Sequence, residues 1–253
     1  MILYATDIDN TIIPKSTTEY KESIEKWANK IKNSKFKTAY ASGRSFEMFK
    51  CVFETIPEPD FLITDVGTKI YYKNNKKWIE DIDFIKFNSQ KWGRNDIRKY
   101  LCDIKEIKEQ EKETLSEFKQ SYYLEISENN FNTIQKIESV LAKEKIECEI
   151  IYSIDKNKNI GLIDIVPKGS GKSGAIKYLI KKLEIKENDV IYSGDSGNDI
   201  DALTEGWRAV LVGNASDEIK KEVKVKAKIR ENLYIAEKYF TEGVLEGFEY
   251  FKI

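Results

Sequence analysis

The chain has no histidine. That absence removes histidine triads, histidine general bases and histidine metal ligands from consideration. Carboxylates must therefore carry any acid–base chemistry. Cysteine is scarce too: Cys51, Cys102 and Cys148 are odd in number and far apart. They fit neither a disulfide framework nor a zinc cluster, and read as free thiols of a reducing compartment. No signal peptide is evident, and no apolar run is long enough to span a bilayer, so the expected location is the cytoplasm, with no membrane partner. No charge of one sign dominates. Lys plus Arg is 42 and Asp plus Glu is 43, a formal net charge of -1. A nucleic-acid partner would call for a basic excess or stripe, and none is expected here. Mixed runs such as Lys105 to Lys112 read as solvated helical faces. What is present is globular: 253 residues, 41% hydrophobic, with only four prolines. That suits one large domain or two smaller ones.

Ile2 to Thr6 reads as a buried strand and Tyr20 to Lys32 as an amphipathic helix, with a polar stretch, Asn10 to Thr18, between them. Phe36 to Tyr40 is a second strand, Phe46 to Phe53 a helix, and Phe61 to Ile63 a third strand. Strand, polar loop, helix, strand is the doubly wound pattern. A hairpin over Lys69 to Trp78 turns at Asn74-Asn75. Beyond about residue 84 lies a different unit: helix over Ile97 to Lys108, strand over Ser121 to Ile126, helix over Asn130 to Glu144. The strands Glu147 to Ser153 and Ile160 to Ile165 follow, parted by a turn at Asp155 to Asn159. The wound pattern returns with a helix over Gly174 to Leu183, a strand at Val190 to Tyr192, a helix over Ile200 to Thr204 and a strand at Ala209 to Val212. The tail, Leu233 to Tyr250, reads as helical. The expected fold class is α/β: a doubly wound, Rossmann-like core sheet, residues 1–83 and 165–253, with an inserted α/β cap domain, 84–164. One continuous domain is the alternative.

Four polar clusters each follow a predicted core strand: Asp7/Asp9, Ser42-Gly43-Arg44, Asp65-Val66-Gly67-Thr68, and Gly194-Asp195-Ser196-Gly197-Asn198-Asp199. Parallel strands would bring all four to one rim, where α/β sheets bind ligands. Two acidic pairs there would repel each other unless a cation intervened, and a small hard ion such as Mg2+ suits carboxylate ligands. Turn formation and helix capping are the alternative for Asp195 and Asp199. Ser42-Gly43 offers a hydroxyl and backbone N–H groups, the equipment of a phosphate nest. Pro167 to Ser173 superficially suggests a Walker loop but lacks the Gly-x-x-x-x-Gly-Lys frame. Lys172 instead starts a helix, against the helix dipole, which makes sense if it points at an anion.

Together these clusters resemble the haloacid dehalogenase-like phosphohydrolases, whose motifs are Asp-x-Asp-x-Thr, a Ser/Thr ending a later strand, a Lys, and Gly-Asp-x-x-x-Asp. The matching residues are Asp7 to Thr11, Ser42, Lys172, and Gly194 to Asp199. Within that superfamily the chain is most similar to the sucrose-phosphate phosphatase branch, through Tyr40 to Ser45, Pro59 to Tyr71, Lys119 to Leu124 and Gly194 to Asp199. It departs from the branch at Ser42, where Thr is commoner, and at Phe118, where a polar residue usually precedes the lysine.

The resemblance implies Mg2+-dependent phosphate-monoester hydrolysis through an aspartyl phosphate, most readily of sucrose 6-phosphate. The alternatives are another phosphorylated disaccharide or glycosyl-glycerate, a phosphomutase, or a non-catalytic sugar-phosphate sensor. It implies Asp7 as nucleophile, Asp9 as general acid and base, and Ser42 and Lys172 as the phosphoryl cradle. Mg2+ would be held by Asp7, the Asp9 carbonyl, Asp195 and Asp199. Ser42, Gly43, Arg44, Asp65, Thr68, Lys119, Ser121, Lys172 and Asn198 are the expected substrate-binding residues, with the insertion acting as a lid.

Overall fold

The computed structural model describes residues 1–14, 20–49, 51–89, 92–155 and 158–253. Residues 15–19 of the polar stretch and 156–157 of the expected turn lie outside the described residues.

In chain order the first elements are β1 (Ile2–Thr6), α1 (Lys21–Asn33), β2 (Phe36–Ala41), β3 (Phe61–Thr64), β4 (Lys69–Asn74) and β5 (Lys77–Glu80). The middle of the chain forms α2 (Ile82–Ser89), α3 (Arg94–Leu101), β6 (Ile107–Glu109), β7 (Gln120–Glu125), α4 (Asn130–Lys143), β8 (Cys148–Asp155) and β9 (Ile160–Pro167). Then come α5 (Gly171–Lys182), β10 (Val190–Gly194), α6 (Ile200–Thr204), β11 (Arg208–Leu211), α7 (Asp217–Lys226), β12 (Leu233–Ile235) and α8 (Phe240–Tyr250). The chain divides into two compact units: Met1–Glu80 with Lys172–Ile253, and Asp81–Gly171. The second unit is wider at both ends than the 84–164 read from sequence. At its C-terminal end β9 pairs with β8 as far as Pro167, which keeps that segment with the second unit.

The first unit holds an eight-stranded sheet in the order β12-β11-β10-β1-β2-β3-β4-β5. The strands from β12 to β3 run parallel, and β4 and β5 form an antiparallel margin. The chain moves from β1 toward β3, then restarts on the other side of β1 at β10. The order therefore reverses between β1 and β10, the crevice where such sheets bind ligands. The central strands β1 and β10 are buried along nearly their whole length, as strands of a sheet covered on both faces are. In α1, Ile24, Trp27 and Ile31 are buried at helical spacing. Trp27 meets the rings of Tyr4 and Tyr40 at 6.5 and 6.2 Å between centroids.

The second unit is a four-stranded antiparallel sheet, β6-β7-β9-β8. Its apolar face packs Tyr122, Leu124, Ile163 and Ile165 with Ile97 and Leu101 of α3 and Ile137 and Leu141 of α4. Strand side chains alternate, so Ser121 and Asp164 stand on the opposite face.

Three elements differ from the sequence reading. In the expected helix Phe46 to Phe53, of which residue 50 lies outside the described residues, the described residues form two 3-10 turns, Phe46–Phe49 and Val52–Glu54. The spacing Phe46, Phe49, Val52 is three, the period of the tighter helix. Helix α3 stops at Leu101. Ile97, Leu101 and Ile104 are buried at helical spacing, yet Ile107 joins the sheet opposite Leu124. Tertiary pairing overrides the apparent period there. Leu233–Ile235 is an edge strand on β11, and only Phe240–Tyr250 of the tail is helix. The hairpin turn sits one residue later than expected, at Asn75 and Lys76, both with positive φ.

Candidate active site

The parallel strands deliver their polar ends to one edge. Asp7 follows β1, Ser42 follows β2, Asp65 follows β3 and Asp195 follows β10. The Asp7 N–H bonds across the switch point to the Ser193 carbonyl at 2.8 Å. Lys172, in the first turn of α5, is fully buried. Its ammonium donates to Asp7 Oδ1 at 2.6 Å, Asp199 Oδ1 at 2.6 Å and Asn198 Oδ1 at 2.9 Å. Its three protons are thereby matched by three acceptors, which explains a lysine at a helix start.

Asp199 is the most heavily engaged carboxylate. Oδ1 accepts from Lys172 and from the Tyr192 hydroxyl at 2.5 Å. Oδ2 accepts from the backbone N–H groups of Asp195 and Ser196, at 3.0 and 3.1 Å, and from the Ser196 hydroxyl. Ser196 and Asp199 form a capping box. Capping, which the sequence offered as an alternative to a site role, coexists with the Lys172 contact. Gly194 makes this possible: a Cβ there would stand 2.6 Å from the Asp199 carboxyl carbon.

Among the described residues, Asp7, Asp195 and Asp199 form a buried group whose ligand oxygens lie within 4.8 Å of one another. Burial pushes the Asp7 carboxyl well above the usual range; Lys172 pulls it back, and Asp199, Asp195 and Asp9 push it up again. Burial also opposes the Lys172 charge, but Asp199 and Asp7 outweigh it and hold the ammonium above its usual range. Three buried carboxylates thus face one ammonium. An all-oxygen set with surplus negative charge fits a hard divalent cation such as Mg2+. With both Asp199 oxygens taken by two or more donors, Asp7 and Asp195 are the better-placed ligands. Thr11 lies beside them, its hydroxyl 3.2 Å from Asp7 Oδ2 and 3.5 Å from Asp195 Oδ1.

The Asp9 carboxylate is outside this group. It forms a bidentate pair with Arg44: Nε donates to Oδ2 at 2.8 Å and an Nη2 hydrogen to Oδ1 at 2.6 Å. Arg44, expected to bind substrate, is thus turned to Asp9. Ser42 is buried; its N–H goes to the Ile63 carbonyl, and its hydroxyl oxygen accepts from the Arg44 N–H at 3.2 Å. Among the described residues the Gly43 N–H has no protein acceptor. Thr64 donates to the Asp65 carboxylate at 3.2 Å, and Thr68 to the Asp65 carbonyl at 3.0 Å. Asp65 and Val66 both take positive φ, 51° and 60°. For a β-branched valine that is a strained conformation, of the kind that collects at functional sites.

Lys119 and Ser121 lie in the other unit. Ser121 is fully buried and donates to Asp164 Oδ1 at 2.5 Å. Lys119 is 5% exposed, and among the described residues its ammonium makes no hydrogen bond or ion pair. Phe118 beside it is buried. Trp92 donates its indole N–H to the Glu117 carbonyl at 2.7 Å. Tyr192 was missed by sequence reasoning, because a tyrosine in a central strand reads as core. Only its position two residues before the Gly-Asp motif hinted otherwise.

This fold, with these motifs at its switch point, defines a haloacid dehalogenase-like phosphohydrolase. The chain belongs to the sucrose-6F-phosphate phosphohydrolase family, whose sequence model matches residues 1–252; these are phosphoric monoester hydrolases. Similar proteins include a putative HAD-like hydrolase of Nitrosococcus oceani, 32% identical over 99% of this chain and 71% of that protein. A probable sucrose-phosphatase 3a of Arabidopsis thaliana is 23% identical over 100% of this chain. The chain spans only 60% of that plant relative's length. The sucrose-phosphatase of Synechocystis, solved in complex with sucrose and phosphate, shares the fold: TM-score 0.87, 24% identity, 99% of this chain and 98% of that one covered. No helix among the described residues is long and apolar enough to cross a membrane.

Proposed function

We propose that the chain hydrolyses the phosphate ester of a disaccharide, sucrose 6-phosphate foremost, by transfer of the phosphoryl group to Asp7. The observation that carries this is the buried Lys172 ammonium bonded to both Asp7 and Asp199 at the β1/β10 switch point. The family description and the solved Synechocystis relative support the choice of sugar.

Asp7 attacks phosphorus in line with the leaving sugar oxygen, and covalent transfer divides one hard displacement into two easier ones. Lys172 fixes the Asp7 carboxylate and offers positive charge to the phosphoryl oxygens. Such preorganised charge counts most where the transition state is anionic. The Ser42 hydroxyl and the Gly43 N–H are donors for the same oxygens. Asn198 and Asp199 hold Lys172, and Tyr192 holds Asp199. Burial keeps the Tyr192 phenol protonated, far above its usual range, so it remains a donor. Asp7 and Asp195, with the Asp9 carbonyl and Asp199 in support, are the residues that would hold Mg2+. When bound, that ion would neutralise charge on Asp7 and on the phosphoryl group. Asp9 protonates the leaving sugar oxygen, then takes a proton from the water that releases phosphate from Asp7.

Recognition of the sugar falls to polar groups outside the phosphoryl site: Asp65 and Thr68 in the first unit, Lys119 and Ser121 in the inserted one. The Lys119 ammonium has no protein acceptor among the described residues and keeps contact with solvent, so its donors are free for sugar hydroxyls.

The test is phosphate release in Mg2+ from sucrose 6-phosphate, other disaccharide phosphates, a glycosyl-glycerate phosphate and hexose phosphates, with Asp7→Asn alongside. The expected result is preference for sucrose 6-phosphate and loss of at least about a thousandfold in Asp7→Asn, roughly 4 kcal/mol. No phosphate release from any substrate would leave a sensor. A rate within about tenfold of the parent in Asp7→Asn would remove Asp7 as nucleophile.

A further inference from the structure

We propose that Arg44 is a positioning residue that aims the Asp9 carboxylate, and not a phosphate-binding arginine. The proposal rests on the general acid and base role given to Asp9 above.

Each rim aspartate of the first motif has its own cation. Lys172 bonds Asp7, and Arg44 bonds Asp9. The Arg44 contact is a fork: two N–H groups on two carboxylate oxygens, at 2.8 and 2.6 Å. A fork fixes the plane of a carboxylate as well as its place, which a lysine's point charge does not. A carboxylate has about four acceptor positions, and the fork uses two. Asp9 can therefore keep Arg44 and still carry, on a remaining position, the proton it gives to the sugar oxygen.

The backbone of Arg44 is held at both ends. Its N–H bonds to the Ser42 hydroxyl oxygen, and its carbonyl accepts from Asp65 N–H at 2.9 Å. The Val66 N–H reaches the Ser42 carbonyl at 3.1 Å. Both latter bonds come from the turn in which Asp65 and Val66 adopt positive φ. The strained turn thus clasps the loop that carries Arg44. This assigns the strain a purpose: it fixes the origin of a long side chain whose far end must hold Asp9 in one orientation. Asp9 occupies the Nε–Nη2 edge of the guanidinium, one of its two forks.

The proton balance is unchanged. In the first step the Asp7 oxygen–phosphorus bond forms, the phosphorus–sugar oxygen bond breaks, and the Asp9 proton goes to the sugar oxygen. In the second step Asp9 recovers a proton from water as the water oxygen bonds phosphorus and Asp7 departs. Arg44 transfers nothing and acts only by aim.

An aryl phosphate with a good leaving group needs little help from Asp9 in the first step, whereas a sugar alcohol needs a proton. The experiment measures the pre-steady-state burst of the leaving group for Arg44→Ala, Arg44→Lys and Asp9→Asn, on sucrose 6-phosphate and on 4-nitrophenyl phosphate. Inorganic phosphate affinity with Mg2+ and thermal melting are measured on the same samples. Arg44→Ala should lose roughly tenfold to a hundredfold on the sugar phosphate, part of the range typical of acid–base catalysis. It should lose less than about twofold on the aryl phosphate and bind inorganic phosphate unchanged. Added guanidinium should restore the sugar-phosphate burst, and Arg44→Lys, folded but without the fork, should share the selective loss. Equal losses on both substrates with weaker phosphate binding would overturn the proposal and make Arg44 a phosphate ligand. If Asp9→Asn shows the leaving-group dependence and neither Arg44 variant does, the positioning role alone fails. If Asp9→Asn shows none, the acid–base reading of Asp9 fails first.

Discussion

Lys172 and Lys119 are both buried, 0% and 5% exposed, one at the rim of the eight-stranded sheet and one beside β7 in the inserted unit. Their surroundings differ. Lys172 has three oxygen acceptors within 2.9 Å, two of them carboxylates. Lys119 has none among the described residues. A buried cation that is fully paired is part of a built machine whose parts hold each other. A cation without a protein partner is left to solvent or to a ligand, the role proposed above for Lys119. The first unit's rim therefore shows a network in its own contacts, and the role proposed for Lys119 rests on a missing contact.

The largest expected effect is on the metal. Chelation should abolish phosphate release and Mg2+ should restore it. The circular dichroism spectrum should survive chelation, because Lys172 still ties Asp7 to Asp199. Undiminished turnover after exhaustive EDTA treatment would remove the cation from the rim. Next is Lys172→Met. It leaves the buried carboxylates without their ammonium and should cost about 3–5 kcal/mol of stability in metal-free protein, read by urea unfolding. Lys119→Met sharpens the contrast, because it removes an ammonium that has no protein partner among the described residues. It should change the stability of the free protein by no more than about 0.5 kcal/mol. Destabilisation similar to Lys172→Met would mean that the two lysines are alike after all.

On activity, Lys119→Ala should lower kcat/KM for the disaccharide phosphate about fivefold or more, a hydrogen bond's worth of about 1 kcal/mol. An aryl phosphate should be unaffected. Equal losses on both would take Lys119 out of sugar recognition. Smallest is Tyr192→Phe, which removes one donor from Asp199 and leaves four. It should slow phosphate release by no more than about threefold, the value of a weak hydrogen bond, because the four remaining donors still hold the carboxylate. Complete loss would place the phenol in the chemistry itself.

Most of the first unit was legible because its signals are local. Apolar runs ending in Asp, Ser or Gly mark parallel strands and their loops, and the motif order placed Lys172 with the acids. The network around Asp199 was less so. A Ser-x-x-Asp pattern reads as a cap, and nothing in it says that the same carboxylate also holds a lysine 27 residues upstream. The Arg44 fork was invisible because it depends on how two rim loops clasp each other through positive-φ residues that the sequence does not flag. In the second unit, Ile97, Leu101 and Ile104 carried a helical period into a segment whose end joins a sheet. Sequence period reports which side faces the core, and strand pairing decided the backbone.

The account turns on Asp7 receiving the phosphoryl group. The most direct measurement is mass spectrometry of protein acid-quenched during a single turnover of sucrose 6-phosphate in Mg2+, with the phosphorylated peptide mapped. The predicted result is a transient phosphate adduct on Asp7 that forms with sugar release and decays with phosphate release. An adduct on another residue, or a burst of sugar with no adduct at any quench time, would contradict it.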